Sequence, residues 1–396
     1  MSGSFDLIQK NFGFGYMRLP MIGDEVDIEQ TTKMVDTFLE NGFNYFDTAH
    51  GYINGKSEQA IKACLSSRYP RDRYILTNKL SAPCFEKEED IRPLFQQQLD
   101  ACGVDYFDFY LIHAVSAARM PFYEGTGAFR IAQELKQEGK VRHVGMSFHD
   151  TAEVLDEILT KHPELEVVQI QFNYVDFEDE KVESRKCYEV CRKHGKPIII
   201  MEPVKGGSLV NLPSAAQKIF DSLNGGSNAS YALRFAAGFE GVMMVLSGMS
   251  TIGQMEDNLS FMKNFQPLNQ KEQQAVEKVT AIFRNQGLIP CTACRYCTEV
   301  CPQEIPIPEL FTAVNAKRSE QNVPAVSTEI DCVKCGKCEE VCPQNLKIRQ
   351  LLTVAAAELQ YTTVPSERMG LFPVSGLQQG LFYGILRIIA ITKRYL

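Results

Sequence analysis

Eight of the thirteen cysteines in this 396-residue chain fall between Cys291 and Cys342, in two runs of identical spacing. Cys291, Cys294, Cys297 and Cys301 form C-x2-C-x2-C-x3-C before Pro302, and Cys332, Cys335, Cys338 and Cys342 repeat it before Pro343. The other five (Cys64, Cys84, Cys102, Cys187, Cys191) are scattered over the first 290 residues. A disulfide framework would spread its cysteines over a short, loop-rich chain. A dense set behind a long cysteine-poor region instead predicts metal in a reducing compartment. The rest of the composition suits a soluble globular protein, with 44 % hydrophobic and 23 % charged residues. A net charge of −8 argues against nucleic acid or an anionic membrane as partner of the whole chain. No charged start leads into an apolar signal segment, and no apolar run reaches the roughly 18–20 residues of a spanning helix. The expected location is cytoplasmic, with no transmembrane segment.

The spacing is that of the bacterial ferredoxin run, in which the fourth cysteine of each run serves the other iron–sulfur cluster. Cys291, Cys294, Cys297 and Cys342 are thus expected to hold one [4Fe-4S] cluster, and Cys332, Cys335, Cys338 and Cys301 the second. Soft thiolates match iron and sulfide, and small residues such as Ala293 and Gly336 let backbone amides point at the sulfurs. Two structural zinc sites are the bland alternative. Zinc has no use for a third cysteine at this spacing, nor for a Cys-Pro ending that occurs twice. Cys187 and Cys191 have no evident partner ligands and read, like the other scattered cysteines, as buried packing.

Ahead of the cysteines, apolar strand-like runs alternate with amphipathic helical ones. The strand candidates lie around Gly13–Leu19, then at Phe43–Thr48, Tyr74–Leu80, Phe107–Ala114, Val141–Phe148, Val167–Tyr174, Pro197–Pro203 and Val242–Gly248. Helical stretches between them stop at Asn41-Gly42, Gly103, Gly139 and Gly195, which fit helix C-caps. Parallel pairing through right-handed crossovers follows. Eight near-regular units predict an α/β fold, a closed (β/α)8 TIM barrel rather than an open sheet, followed by a small bacterial-ferredoxin-like α+β domain. The expected divisions are a barrel over 1–266, a linking helix in 267–287, the dicluster domain over 288–348 and a helical tail over 349–396.

In such a barrel the active site lies at the C-terminal strand ends. Asp47 ends the second strand with Tyr52 in the loop beyond it, Lys79 ends the third, and His113 ends the fourth. A carboxylate, a phenol, an ammonium and an imidazole then share one face, a set suited to acid–base work on a carbonyl. Tyrosine, with a reference value near 10, is a poor proton donor at neutral pH. A nearby lysine is expected to lower it, with Asp47 keeping that lysine charged. Singly, each residue has a structural explanation: a loop cap, rim packing, a satisfied polar group. At successive strand ends they read as one constellation.

These stretches resemble the aldo-keto reductase family. The resemblance rests on Gly42-Phe-Asn-Tyr-Phe-Asp-Thr-Ala-His-Gly-Tyr52, Leu76-Thr-Asn-Lys79, Tyr106-Phe-Asp-Phe-Tyr-Leu-Ile-His113 and Gly139-Lys-Val-Arg-His-Val-Gly-Met-Ser147. Val168-Gln-Ile-Gln-Phe-Asn173 and the segment from Ser247 to Asn258 extend it over about residues 10–265. It implies a catalytic tetrad of Asp47, Tyr52, Lys79 and His113, with Tyr52 as general acid, and NADPH or NADH bound without a Rossmann domain. It further implies that Ser147 and Gln169 hold the carboxamide and that Lys205, Gly206 and Gly207 follow the pyrophosphate. Ser247, Gln254 and Asn258 would meet the adenosine. The chain departs from the family in three places. Phe148-His149 follows the serine where many members have Asn, Met201-Glu202 stands where many stack a tyrosine on the nicotinamide, and Gln254 replaces an arginine that often grips the 2′-phosphate. Barrel plus cysteine runs looks like the subgroup with a C-terminal 4Fe-4S dicluster domain.

A nicotinamide moves two electrons as hydride and a cluster moves one, and no flavin fingerprint bridges them. Three readings stay open. The clusters exchange single electrons with a ferredoxin-like redox partner, or they are structural or sensing beside an ordinary reductase acting on a carbonyl/alcohol substrate, or the whole is a sensor or scaffold. The apolar, basic-ended segment 380–396 is expected to pack on its own protein rather than lie on a membrane.

Overall fold

A computed structural model describes residues 4–359, apart from 224, 320 and 327–329. Residues 360–396, including the segment expected to pack on the protein, lie outside the described residues.

Eight parallel strands close into a barrel: β1 (Phe12–Gly15), β2 (Tyr45–Asp47), β3 (Ile75–Leu80), β4 (Phe107–Val115), β5 (Val141–Phe148), β6 (Val167–Gln171), β7 (Ile198–Met201) and β8 (Val242–Gly248). Each pairs with its sequence neighbour, and β1 joins β8 (Phe14 beside Ser247) and β2 (Gly15 beside Asp47). The strands are buried on both faces, which is why they read as apolar runs rather than alternating ones. Tyr45, Phe109, Leu111, Val167, Ile199 and Met244 fill the interior, and Phe5 closes its base with its ring 5.4 Å from that of Phe109. An outer shell that includes Phe14, Phe38, Phe46 and Ile170 binds the helices to the strands. Gly42, Gly103, Gly139 and Gly195 all take left-handed conformations at helix ends (φ 64 to 79°), as C-caps require.

The first strand is shorter than its apolar run suggested, because Tyr16–Arg18 turns into a short 3-10 segment. The connection from β7 to β8 holds two helices, Ser214–Asp221 and Asn228–Ala237, that the pattern did not announce. The helix Gln270–Asn285 is present with a capping box at Asn269 and Glu272. Its Ala275, Val276, Val279 and Phe283 pack with Phe220 and Tyr231 of those two helices, so it belongs to the barrel's outer layer.

The cysteine-rich part has its own small core, built by Ile307, Leu310, Phe311 and Val314 of one helix against Ile348, Leu352 and Ala355 of another. Among its described residues no strand forms. The two runs repeat one backbone pattern. Ala293 and Arg295 in the first, and Lys334 and Gly336 in the second, have positive φ at matching places, as do Glu304 and Asn345 after the Cys-Pro pairs. Such alternation of left- and right-handed residues turns successive N–H groups toward one point, and the Ala293 N–H approaches Cys291 Sγ at 3.4 Å.

Candidate active site

Parallel strands end together, so the barrel brings Asp47, Lys79, His113 and Ser147 to one mouth. Asp47 pairs in register with Thr77, Lys79 with Leu111, and Ser147 with Gln169. Lys79 is fully buried. Its ammonium donates to Asp47 Oδ1 at 2.6 Å and to the Thr48 carbonyl at 2.9 Å. That nitrogen also lies 4.8 Å from the centre of the Tyr52 ring. The His113 ring stands 5.9 Å from the Tyr52 ring, roughly edge to face, and its Nδ1 is 2.6 Å from Ser81 Oγ. The Tyr123 hydroxyl donates to the His113 carbonyl at 2.5 Å, and Ser147 Oγ accepts from the Ala114 N–H at 2.7 Å.

Burial sets the charges here. Burial, with Lys79 next, holds the His113 imidazole well below its usual value, so the ring is neutral at ordinary pH. Burial and then the Asp47 charge push the Tyr52 phenol well above 10. This corrects the expectation that Lys79 draws it down. The ammonium faces the tyrosine's ring and is committed to Asp47. Between Lys79 and Asp47 burial lowers the amine and raises the acid, while their mutual attraction opposes both shifts.

A cavity opening on this mouth is lined by Asp47, Tyr52, His113, Ser147, Gln169, Met201, Gly206, Ser247, Gln254 and Asn258. It therefore gathers the residues named from the sequence, with two exceptions. Lys79 lies beneath it. Lys205 is buried and turned into an ion pair with Asp176, whose carboxylate also accepts from Gln171 and Asn173. The residues expected to meet the adenosine are hydrogen-bonded within the chain: Asn258 donates to Ser247 Oγ at 3.1 Å, and Gln254 Oε1 accepts from the Ser250 N–H at 2.7 Å. Asp257, which accepts from Ser227 Oγ at 2.6 Å, lines the same cavity.

Sequence reasoning missed the cavity's far wall, which comes from the cysteine-rich part. Cys294, Tyr296 and Pro343 line it beside Tyr52 and His113. Arg18 donates to the Thr292 carbonyl at 2.5 Å, and the Gln171 and Gln344 amides exchange hydrogen bonds of 3.1 and 2.7 Å. Glu202, in a left-handed conformation (φ 57°), is raised by burial and restrained by Arg18 and Thr292. No local pattern could have announced these contacts, since each joins segments far apart in the chain.

The eight cysteines divide in two. Cys291, Cys294, Cys297 and Cys342 line one small cavity, and Cys301, Cys332, Cys335 and Cys338 line another. Each set draws its fourth member from the other run. Among the described residues no three potential ligands converge as they do on a single ion. Four thiols spread around a cavity, with N–H groups turned toward them, fit a polynuclear cluster.

Residues 11–281 match the Aldo/keto reductase family and residues 290–346 the 4Fe-4S dicluster domain. A NADH-specific methylglyoxal reductase of Escherichia coli (strain K12) is 26% identical over 196 residues, 44% of this chain and only 57% of that protein. An uncharacterized oxidoreductase of Bacillus subtilis (strain 168), YqkF, is 24% identical over 70% of this chain and 95% of its own length. Among solved structures, the holo form of an aldo-keto reductase from Bacillus halodurans superposes with TM-score 0.56 at 26% identity, covering 68% of this chain and 91% of that one. An aldo-keto reductase from Klebsiella pneumoniae in complex with NADPH shares the fold, with TM-score 0.56 at 18% identity over 68% of this chain and 90% of that one.

Proposed function

Because the chain belongs to the aldo/keto reductase family and carries a 4Fe-4S dicluster domain behind its barrel, we propose that it interconverts a small carbonyl compound and its alcohol with a nicotinamide cofactor. Its two cysteine sets would hold two [4Fe-4S] clusters that exchange single electrons with a redox partner, in the cytoplasm. The observation that carries this reading is one cavity lined by Tyr52, His113 and Cys294 together.

When bound, a nicotinamide supplies or takes a hydride and each cluster supplies or takes one electron. Ser147 and Gln169 hold the ring's carboxamide from adjoining ends of β5 and β6. Tyr52, kept protonated by its burial, donates its hydroxyl proton to the carbonyl oxygen as the carbon is reduced. Neutral His113 orients that oxygen through a hydrogen bond. The Lys79–Asp47 pair places a cation against the phenol, where charge develops once the proton has left. NADH fits better than NADPH. Asp257 lines the adenosine end, and Arg18, the cavity's lining arginine among the described residues, is engaged by Thr292.

A second reading has its own support. Arg18, Gly206 and Gln171 bind the cysteine-rich part to the barrel mouth, so clusters that only brace this wall would serve an ordinary carbonyl reductase. Anaerobic addition of NADH, with cluster absorbance followed with and without a carbonyl panel, decides between them. Bleaching of the visible absorbance is the expected result. Carbonyl-dependent NADH oxidation with no bleaching would reject electron exchange and leave the second reading. No NADH oxidation against any carbonyl, with or without bleaching, would reject the carbonyl reaction.

A further inference from the structure

A dinucleotide spanning the cavity would bring two phosphates to its middle, and Lys205 is not free to meet them. Its ammonium is buried in the ion pair with Asp176. Among the described residues, Arg18 is the one lysine or arginine that lines the cavity.

The place of Arg18 suits that task. It follows β1 and lies over the end of β8, where a Cβ on Gly248 would sit 3.1 Å from the arginine's own Cβ. Its carbonyl accepts from Ser250 Oγ at 2.8 Å. In the barrel β8 stands between β7 and β1. The cavity runs past this point, from Tyr52 and Gln169 at one end to Asp257 and Asn258 at the other.

The guanidinium is fixed but not neutralised. Its Nη2 donates to the Thr292 carbonyl at 2.5 Å and its Nη1 to that of Ala293 at 3.5 Å. Both acceptors are uncharged. Among the described residues no carboxylate forms an ion pair with Arg18, and this includes Glu202, which lines the same cavity. A half-buried guanidinium held by carbonyls keeps its charge and further N–H donors for a phosphate.

We propose that Arg18 is the cation that binds the pyrophosphate of the nicotinamide nucleotide, held in the middle of the cavity by the Thr292 and Ala293 carbonyls. The first cysteine run, which begins around those two residues, thus helps to build the nucleotide site. The same hold keeps the guanidinium away from the adenosine end, where a 2′-phosphate would lie. The proposal rests on the reading above, in which the cavity takes a nicotinamide nucleotide.

The test uses full-length, cluster-loaded protein under anaerobic conditions and compares the unaltered chain with Arg18→Gln. Affinities for NADH and ADP-ribose are measured by calorimetry, and that for adenosine, which has no phosphate, by displacement of NADH fluorescence. In the variant, NADH and ADP-ribose are both expected to bind about tenfold to a hundredfold more weakly, with adenosine unchanged. An arginine that only ties the cysteine-rich part to the barrel would weaken adenosine as much as ADP-ribose, and that result would overturn the proposal. NADH affinity equal to that of the unaltered chain would also overturn it, while leaving the nucleotide reading in place. If the unaltered protein binds no NADH, the nucleotide reading itself fails and takes the proposal with it.

Discussion

Gly206 lies against Thr292 so closely that a Cβ on the glycine would sit 2.3 Å from the threonine's carbonyl oxygen. The loop after β7 and the first cysteine run thus meet backbone to backbone. Gly206 also has φ 63°, so Gly206→Ala adds conformational strain to the clash. Together these cost about 2–4 kcal/mol. Thermal unfolding of the cluster-loaded variant is expected to start at a lower temperature, with the cluster absorbance lost before the barrel's far-UV signal. A variant as stable as the parent would show that the two parts yield at this contact.

Tyr52→Phe removes the proposed proton donor and leaves the ring against Lys79. Carbonyl reduction is expected to drop about 10²–10⁴-fold, with NADH still bound at close to its original affinity in calorimetric titration. Retained turnover would move the donor role elsewhere, with His113 the next candidate.

His50 supplies a pH dependence for the loop that carries Tyr52. Its Nδ1 lies 2.8 Å from Glu58 Oε2, and the buried Glu58 also accepts from Asn78 at 2.8 Å. The Glu58 hydrogen bond raises the imidazole above its usual value, against the opposing effect of burial. A raised folded value means that the protonated pair's contribution is complete below about pH 6.5 and fades as pH rises through the folded value. Urea midpoints are expected to fall across that interval, and His50→Gln to flatten the slope. An equal slope in the variant would assign the pH effect to other groups.

Gln254 tests the nucleotide preference. Gln254→Arg places a cation in the cavity wall that Asp257 shares, and NADPH affinity is expected to rise by about tenfold, near 1.4 kcal/mol, with NADH little changed. Calorimetry on both nucleotides measures it. An unchanged NADPH affinity would mean that the 2′-position lies away from this residue.

What the sequence disclosed and what it hid have different physical origins. Strands buried on both faces leave continuous apolar runs, and glycines that end helices leave a local signature, so all eight strands and most helices were readable. Asp47, Tyr52, Lys79 and His113 were readable for the same reason, since parallel strands bring their ends together whatever lies between. The helices Ser214–Asp221 and Asn228–Ala237 escaped, although Ser227 caps the second by accepting from the Ser230 N–H. The family resemblance implies that Lys205 follows the pyrophosphate, and only the folded loop after β6 brings Asp176 to it. Tyr296 was invisible as a site residue. It stands in a cysteine run, and it lines a cavity with Tyr52 only once the cysteine-rich part is seated on the barrel.

The two cysteine sets do not face the same surroundings. One reaches the chamber that holds Tyr52, and the other includes Cys335, which is exposed to solvent. The eight thiols therefore run from the wall of a chamber to the open surface. A thiol reagent in solution is expected to reach Cys335 before it reaches the buried Cys297 and Cys338.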